Sequence, residues 1–532
     1  MSGRSDRTTH GARSWWGWGW ESDAVTGGEL DGVATALIAR FPDASPPVVV
    51  DVPDPEGLEL PAVRVVPPDS LSGICKSDPR SRASHTYGKS FRDVVRALSG
   101  DVSAAPDLVA RPGNEWELVD LLDWCSRARV AAVPFGGGSS VVGGVEGGTV
   151  RDRFEGVVSI DLTRLSGVEE IDPVSRAARI RAGTYGPDLE DELRPTGLTL
   201  RHFPQSFEHS TLGGWIATRS GGHYATNYTH IDDFVESLRV VTPTGTVETR
   251  RVPGSGAGPS PDRLFLGSEG VLGVITEAWV RLQQRPRHRA ATAVRFPTFD
   301  AGVRAARAVV QAGLFPSNCR LLDPAEAAGM DPAGRSVLLV GFESPVFAVD
   351  GLAAAALECC LDHGGVAPSG VGSSSGDGAA GTWRRAFFKA PYLRDAVARL
   401  GWIAETFETA VSWSGFDTLH GAVVEAVSGA LDPAPAVSCR FTHVYPDGPA
   451  PYFTVVAPSR SGRQLADWQR IKDAASEAIL AAGGTITHHH AVGRDHRPWY
   501  DRQRPDLFAA SLEAVKDRLD PAGVLNPGVL VG

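Results

Sequence analysis

Three histidines in a row, within Thr487-His488-His489-His490-Ala491-Val492-Gly493, are the densest acid–base chemistry in the 532-residue sequence. An unperturbed imidazole titrates near neutrality, so such a run can form a cationic, proton-shuttling wall of an active site. Metal binding is the other obvious use. Adjacent residues on an extended run point in different directions, however, so the three cannot converge on one tetrahedral ion, and no metal is expected. A solvated polar turn is the plain alternative. The run is internal, which argues against an expression tag.

A second stretch does its chemistry through the backbone: Pro134-Phe135-Gly136-Gly137-Gly138-Ser139-Ser140-Val141-Val142-Gly143-Gly144. Three glycines let the chain enter φ > 0 and approach a ligand without a Cβ in the way. Successive N–H groups in such a turn make a concave anion site, and two serine hydroxyls add donors. The natural guest is a pyrophosphate. The pattern is neither a P-loop nor a G-x-G-x-x-G helix opening. Two further Gly- and hydroxyl-rich stretches follow, Gln205-Ser206-Phe207-Glu208-His209-Ser210-Thr211 and Thr218-Arg219-Ser220-Gly221. A third, Glu269-Gly270-Val271-Leu272-Gly273-Val274-Ile275, runs from a loop into a strand.

The elements that must hold these loops can be read from periodicity. A short strand at 107–111, the turn Pro112-Gly113 and a helix with Leu118, Leu121, Leu122 and Cys125 on one side lead into the apolar strand Val130 to Val133. Strands are expected at 156–161, 178–183, 235–242 and 274–282, with a helix at 187–193. From Ala290 the pattern changes to helices at 299–312 and 349–363 and strands at 336–342 and 451–456, an α+β arrangement with an antiparallel sheet. Residues 392–409 read as a helix, 368–381 as a Gly/Ser loop, and 506–519 as the last helix. Trp15, Trp16, Trp18 and Trp20 either seat the N-terminal arm at a membrane interface or pack it onto the body, and the second reading is preferred.

Composition narrows the class. Hydrophobic content of 42% and charged content of 22% are ordinary for a globular chain of two or three domains. A net charge of −11 argues against a nucleic-acid partner. No apolar run is long enough to span a bilayer, and no apolar segment follows the N-terminus as a secretory signal would require. The six cysteines include no CxxC pair and fit reduced thiols in a cytoplasm. Richness in Ala, Gly, Arg and Asp suggests a GC-rich bacterial genome.

In this order and spacing, the four loops resemble the FAD-binding domain of the vanillyl-alcohol oxidase and p-cresol methylhydroxylase superfamily. The resemblance implies an α+β protein: a two-subdomain FAD-binding domain plus an α+β cap with an antiparallel sheet. It gives an arm and helices over 1–100, the FAD domain over 101–284 and the cap over 285–485. The segment 486–532 completes the active site and returns to the FAD domain. Within that superfamily, His488-His489-His490, Trp18-Gly19-Trp20, Arg320-Leu321-Leu322-Asp323, Tyr392-Leu393-Arg394-Asp395, Cys439-Arg440 and Tyr452-Phe453 resemble the alkyldihydroxyacetonephosphate synthases. That likeness makes Tyr452 the proton donor and acceptor at the substrate carbon. It makes Arg394 the substrate-binding, phosphate-holding residue and Arg320 a support for flavin and active site, with His488, His489 and His490 completing the pocket. The implied reaction is redox-neutral: the acyl group of acyl-dihydroxyacetone phosphate is exchanged for a long-chain fatty alcohol. FAD is expected to be noncovalent, since the first Gly loop offers no His or Cys and His223 lies at the wrong loop for a covalent link. The expected partners are these lipid substrates, a second copy of the chain in a homodimer and a peripheral membrane contact. An FAD-dependent 2-hydroxyacid dehydrogenase or related oxidase is the competing reading; a flavin-binding protein that has lost catalysis is a third.

Overall fold

The computed structural model describes residues 12–372 and 379–531. Asn114 starts the helix Glu115–Ala128, its side chain accepting from the Glu117 N–H at 3.0 Å, and Arg129 ends it at φ 53°. Leu118, Leu121, Leu122 and Cys125 are fully buried from this helix against the strand Val130–Phe135. Each such leucine contributes about 2 kcal/mol of apolar burial. The strand belongs to a four-stranded sheet whose order is Cys75–Lys76, Leu108–Ala110, Gly156–Asp161, Val130–Phe135; the last three run parallel. The chain's end joins it: Ala132 donates to Val524 O and accepts from the Asn526 N–H.

A five-stranded antiparallel sheet follows, ordered Val168–Asp172, Ala177–Arg181, Val274–Arg281, Val235–Thr242, Gly245–Glu248. Its core holds Trp215, Val271 and Leu272. The third large sheet is antiparallel with six strands: His288–Phe296, Ser336–Ser344, Asn318–Leu322, Ala436–Val444, Pro449–Ala457 and Ile403–Glu408. Along its first strand Ala290, Thr292, Val294 and Phe296 are buried in alternation, the period-2 signature of one face against a core. The helices Phe299–Gln311 and Asp350–Leu361 cover that face. The helices Phe416–Ser428 and Gln464–Ala481 pack over the strands Pro449–Ala457 and Ile403–Glu408.

Two expectations are corrected. The helix expected over 392–409 spans Ala379–Arg399, and Ile403–Glu408 is a strand. Gly401 at φ 76° ends the helical run, and β-branched and aromatic residues then pair with Tyr452 to Ala457. A proline at 451 is also expected to break the strand before Tyr452, and the structure shows a shift of register instead. The strand Pro449–Ala457 is continuous, and Thr442 on the neighbouring strand is bulged between the pairs Phe441–Pro451 and His443–Ala450. Of the expected Gly/Ser loop, 373–378 lie outside the described residues, as do 1–11 of the arm. Trp15, Trp16 and Trp18 are buried, so the arm packs onto the body.

Candidate active site

The loop after Val130–Phe135 forms one wall of a cavity of about 1500 Å³, counted with its open mouth. Gly137 has no room for a side chain: a Cβ there would sit 1.9 Å from His209 O, and Gly138 is at φ 67°. Among the described residues, the backbone N–H groups of Gly136, Gly137, Gly138, Ser139 and Ser140 donate to no protein acceptor. A row of such donors facing a cavity needs an external acceptor, and a pyrophosphate supplies one. The residues therefore fit the phosphates of a dinucleotide.

Pro134, Phe135, Gly136, Gly137, Gly138, Ser139, Ser140, Gln205, Ser206, Ser210, Thr211, Thr218, Ser220, Gly221, Glu269, Gly270, Gly273, Val274 and Ile275 all line this cavity. Six of the residues read as cofactor-binding do not. Phe207 stacks on Trp215, with centroids 6.2 Å apart, and Glu208 is exposed. His209 faces an adjoining cavity behind the glycines, between the edges of Trp18 and Trp20. Arg219 ends the helix Leu212–Thr218 in a left-handed turn and pairs with Asp232 at 2.7 Å. Val271 and Leu272 are core residues. Glu269 lines the cavity, but its carboxylate accepts from the N–H groups of Val492 and Gly493 at 2.9 and 2.8 Å. It thereby ties the histidine segment to the cofactor loops. Burial pushes it up to about 7, against these two bonds.

The six-stranded sheet supplies the opposite wall. Tyr452, His489, His490 and Arg320 reach the cavity. Glu408, on the neighbouring strand, fixes the histidine segment. Its carboxylate accepts from the N–H groups of His488, His489 and His490 at 2.6, 3.0 and 2.8 Å, and from the Thr487 hydroxyl at 2.7 Å. One buried anion thus turns a polar run into a defined loop. Although burial favours its neutral form, the imidazoles and N–H donors around Glu408 hold it well below the usual carboxylate range. The imidazoles themselves are not the cationic wall expected. Burial drives all three down, to about 3 at His490, despite Glu408 nearby. They stand as neutral groups able to accept a proton.

His488 turns away from the cavity, its Nε2 within 3.0 Å of the Tyr445 hydroxyl and 3.1 Å of His230 Nε2. His443, His488 and His489 offer nitrogens within 4.8 Å of one another, as Glu408, His489 and His490 offer ligand atoms; each group takes two of the three adjacent histidines and a residue from a neighbouring strand. Tyr452 is buried, with the Arg440 guanidinium 4.0 Å from its ring centre and the His490 ring centre at 5.6 Å. Burial raises its phenol above the ordinary value, and the opposing charge of Arg440 does not overcome it. The cation beside this tyrosine is Arg440, rather than the histidine run or Arg394, and Glu326 pairs with it at 2.7 Å. Arg394 is not among the cavity-lining residues. Its fork closes on Asp395 at 3.1 and 2.7 Å.

Phe203, Phe387, Thr442 and His443 line the cavity and carried no signal in the one-dimensional reading; Trp18, read there as part of the packed arm, lines it too. Trp18 is held there by its N–H to Asp395 at 2.5 Å. His223 also lines the cavity, where the Arg320 guanidinium approaches its Nδ1 at 3.0 Å.

A loop fit for a dinucleotide's phosphates facing a wall of titratable side chains fits an FAD-linked enzyme, and the comparisons agree. Residues 106–250 match the family described as an FAD binding domain, and 285–530 match the C-terminal domain of FAD linked oxidases. The alkyldihydroxyacetonephosphate synthase of Dictyostelium discoideum is 33% identical over 87% of this chain and 79% of its own length. A solved structure of an alkyldihydroxyacetonephosphate synthase superposes with TM-score 0.80 over 98% of this chain and 99% of that one, at 27% identity. The mitochondrial D-lactate dehydrogenase [cytochrome] of Arabidopsis thaliana is 28% identical over 80% of this chain and 73% of its own length. The chain belongs to the alkyldihydroxyacetonephosphate synthase family. The compositional suggestion of a bacterial source gains nothing from the Dictyostelium relative, which is eukaryotic.

Proposed function

We propose that the chain exchanges the acyl group of acyl-dihydroxyacetone phosphate for a long-chain alcohol, using FAD and with no net electron transfer. The observation that carries this is Tyr452: a buried phenol, backed by Arg440 and beside neutral His489 and His490, across one cavity from the glycine loop. FAD, when bound, supplies the electrophile that holds the substrate carbon while one oxygen substituent leaves and another enters. The protein's own task is to move the proton at that carbon. Tyr452 can give a proton as it stands, and the neutral imidazoles can take one. Glu408 fixes the backbone of His489 and His490, and its charge favours the imidazolium that forms on either. Phe203, Phe387 and Trp18 give the cavity an apolar lining suited to a lipid chain. The flavin is held noncovalently: no cysteine lines the cavity among the described residues, and both nitrogens of His223 face neighbouring side chains, Asn318 and Arg320.

No described helix is long and apolar enough to cross a membrane. A peripheral membrane contact belongs to this proposal, since the alcohol and acyl chains are membrane-borne; a homodimer remains the expectation drawn from the resemblance. Labelled hexadecanol should enter product in the presence of acyl-dihydroxyacetone phosphate without oxygen consumption or dye reduction. Steady dye reduction by D-lactate or glycolate without alcohol incorporation would replace this reading with a hydroxyacid dehydrogenase.

A further inference from the structure

We propose that Arg201 is a positioning residue that sets, through Tyr224 and His223, the direction in which Arg320 enters the cavity. The inference rests on the functional reading above in treating Arg320 as an active-site group.

Arg201 has an unusual backbone. Its φ is 65°, a left-handed conformation that is costly for a residue with a Cβ and free for glycine. Such strain persists where the surrounding contacts over-determine the conformation. Here the side chain supplies those contacts, and the residue is 8% exposed. Its Nε donates to Glu343 Oε1 at 2.7 Å, and an amino group of the same fork donates to Oε2. The guanidinium carbon lies 3.8 Å from the centre of the Tyr224 ring. A planar fork can pair and stack at once, and an ammonium cannot. Arg201 lies within the match to the FAD binding domain, and Glu343 on the cap strand Ser336–Ser344. One side chain thus grips both domains.

Short contacts pass the grip on. The His223 ring lies 4.8 Å from the Tyr224 ring, and the His223 N–H donates to Phe203 O at 2.8 Å. The imidazole is therefore held from two sides by the segment that carries Arg201. It stands against the cap strand Asn318–Leu322. Its Nε2 is 2.8 Å from the Asn318 side-chain amide, and Arg320 approaches its Nδ1 at 3.0 Å. A guanidinium only donates, so Nδ1 accepts and the ring N–H is at Nε2. His223 O accepts from Arg320 as well, at 3.3 Å. Asn318 pairs with Gly341, so the strand that Arg201 grips is the neighbour of the strand that carries Arg320. The contacts close a ring, Glu343 to Arg201 to Tyr224 to His223 to Arg320, and its last member is buried and lines the cavity.

The test is the reduction potential of the bound flavin, read on flavin-loaded enzyme without substrate. A buried cation beside the flavin stabilises the charge that reduction adds, so a misdirected Arg320 should lower the potential. Arg201→Gly keeps the backbone conformation without strain, and Arg289, 4.0 Å from Glu343, keeps that carboxylate from standing alone. The variant should fold, load flavin and show a lowered potential. Its kcat for alkyl transfer should fall about tenfold with the KM for hexadecanol unchanged. Arg201→Lys keeps the charge and loses the fork, and it should shift the potential the same way. Arg320→Met should lower the potential further, and adding Arg201→Gly to it should change nothing more. A wild-type potential in flavin-loaded Arg201→Lys, or shifts that add in the double variant, would overturn the inference. Should Arg201→Gly or Arg320→Met fail to load flavin, Arg201→Lys decides by itself. The potential is read without substrate. An enzyme whose potential moves as expected yet transfers no alkyl group would therefore refute the functional reading and leave the role of Arg201 standing.

Discussion

The two walls of the cavity are built by opposite means. The glycine-loop wall works through backbone N–H groups that a short contiguous stretch presents together. The sheet wall is made of side chains collected from four separate segments, at Arg320, at Thr442 and His443, at Tyr452, and at His489 and His490. The first wall is defined by conformation and tolerates no added Cβ. The second is defined by burial and charge, and one removed hydroxyl should change its chemistry while its shape survives.

The largest effect should come from the smallest addition. Gly137→Ala places a Cβ 1.9 Å from the His209 carbonyl oxygen, where backbone must move. Purified variant should retain its far-ultraviolet circular dichroism and carry no flavin, even after incubation with FAD. Full flavin occupancy in Gly137→Ala would erase the contrast between the walls. A smaller effect is expected at Glu408→Gln. The amide keeps one acceptor oxygen but loses the charge that gathers the N–H groups of His488, His489 and His490. Stability at neutral pH should fall by an amount on the order of 2 kcal/mol, and alkyl transfer about a hundredfold through misplaced histidines, with flavin retained. The pH dependence has a definite sign. A carboxylate held below its unfolded value stabilises the fold at all pH above the ordinary carboxylate range, and that stabilisation is lost as pH falls through the depressed value. Thermal midpoints from pH 7 down to pH 3 should therefore fall more for wild type than for Glu408→Gln. Parallel curves would show that Glu408 does not carry this charge.

The same contrast explains what the sequence could disclose. Gly136 to Gly138 and the helix Glu115–Ala128 are local features, written in residue type and spacing, and they form as read. The histidine run was visible too, but its charge was not. Neutral imidazoles follow from burial, against the opposing pull of Glu408, which arrives from a strand 80 residues away in sequence. Ile403–Glu408 lost its helical reading because pairing with Tyr452 to Ala457 overrides local propensity. Arg394 and Arg440 look alike in sequence; their partners tell them apart, Asp395 for the first and Glu326, with the Tyr452 ring, for the second. Thr442 and His443 face the cavity together only because Pro451 forces a bulge across the ladder.

The central claim is that Tyr452 moves the proton at the substrate carbon, and hydrogen exchange at C1 of acyl-dihydroxyacetone phosphate measures it most directly. Tyr452→Phe keeps the ring beneath Arg440 and removes only the hydroxyl. The flavin-loaded variant should fold with wild-type stability yet show neither solvent exchange of the C1 hydrogen nor alkyl transfer. Wild-type exchange in folded, flavin-loaded Tyr452→Phe would contradict the account and move the proton chemistry to His489 and His490.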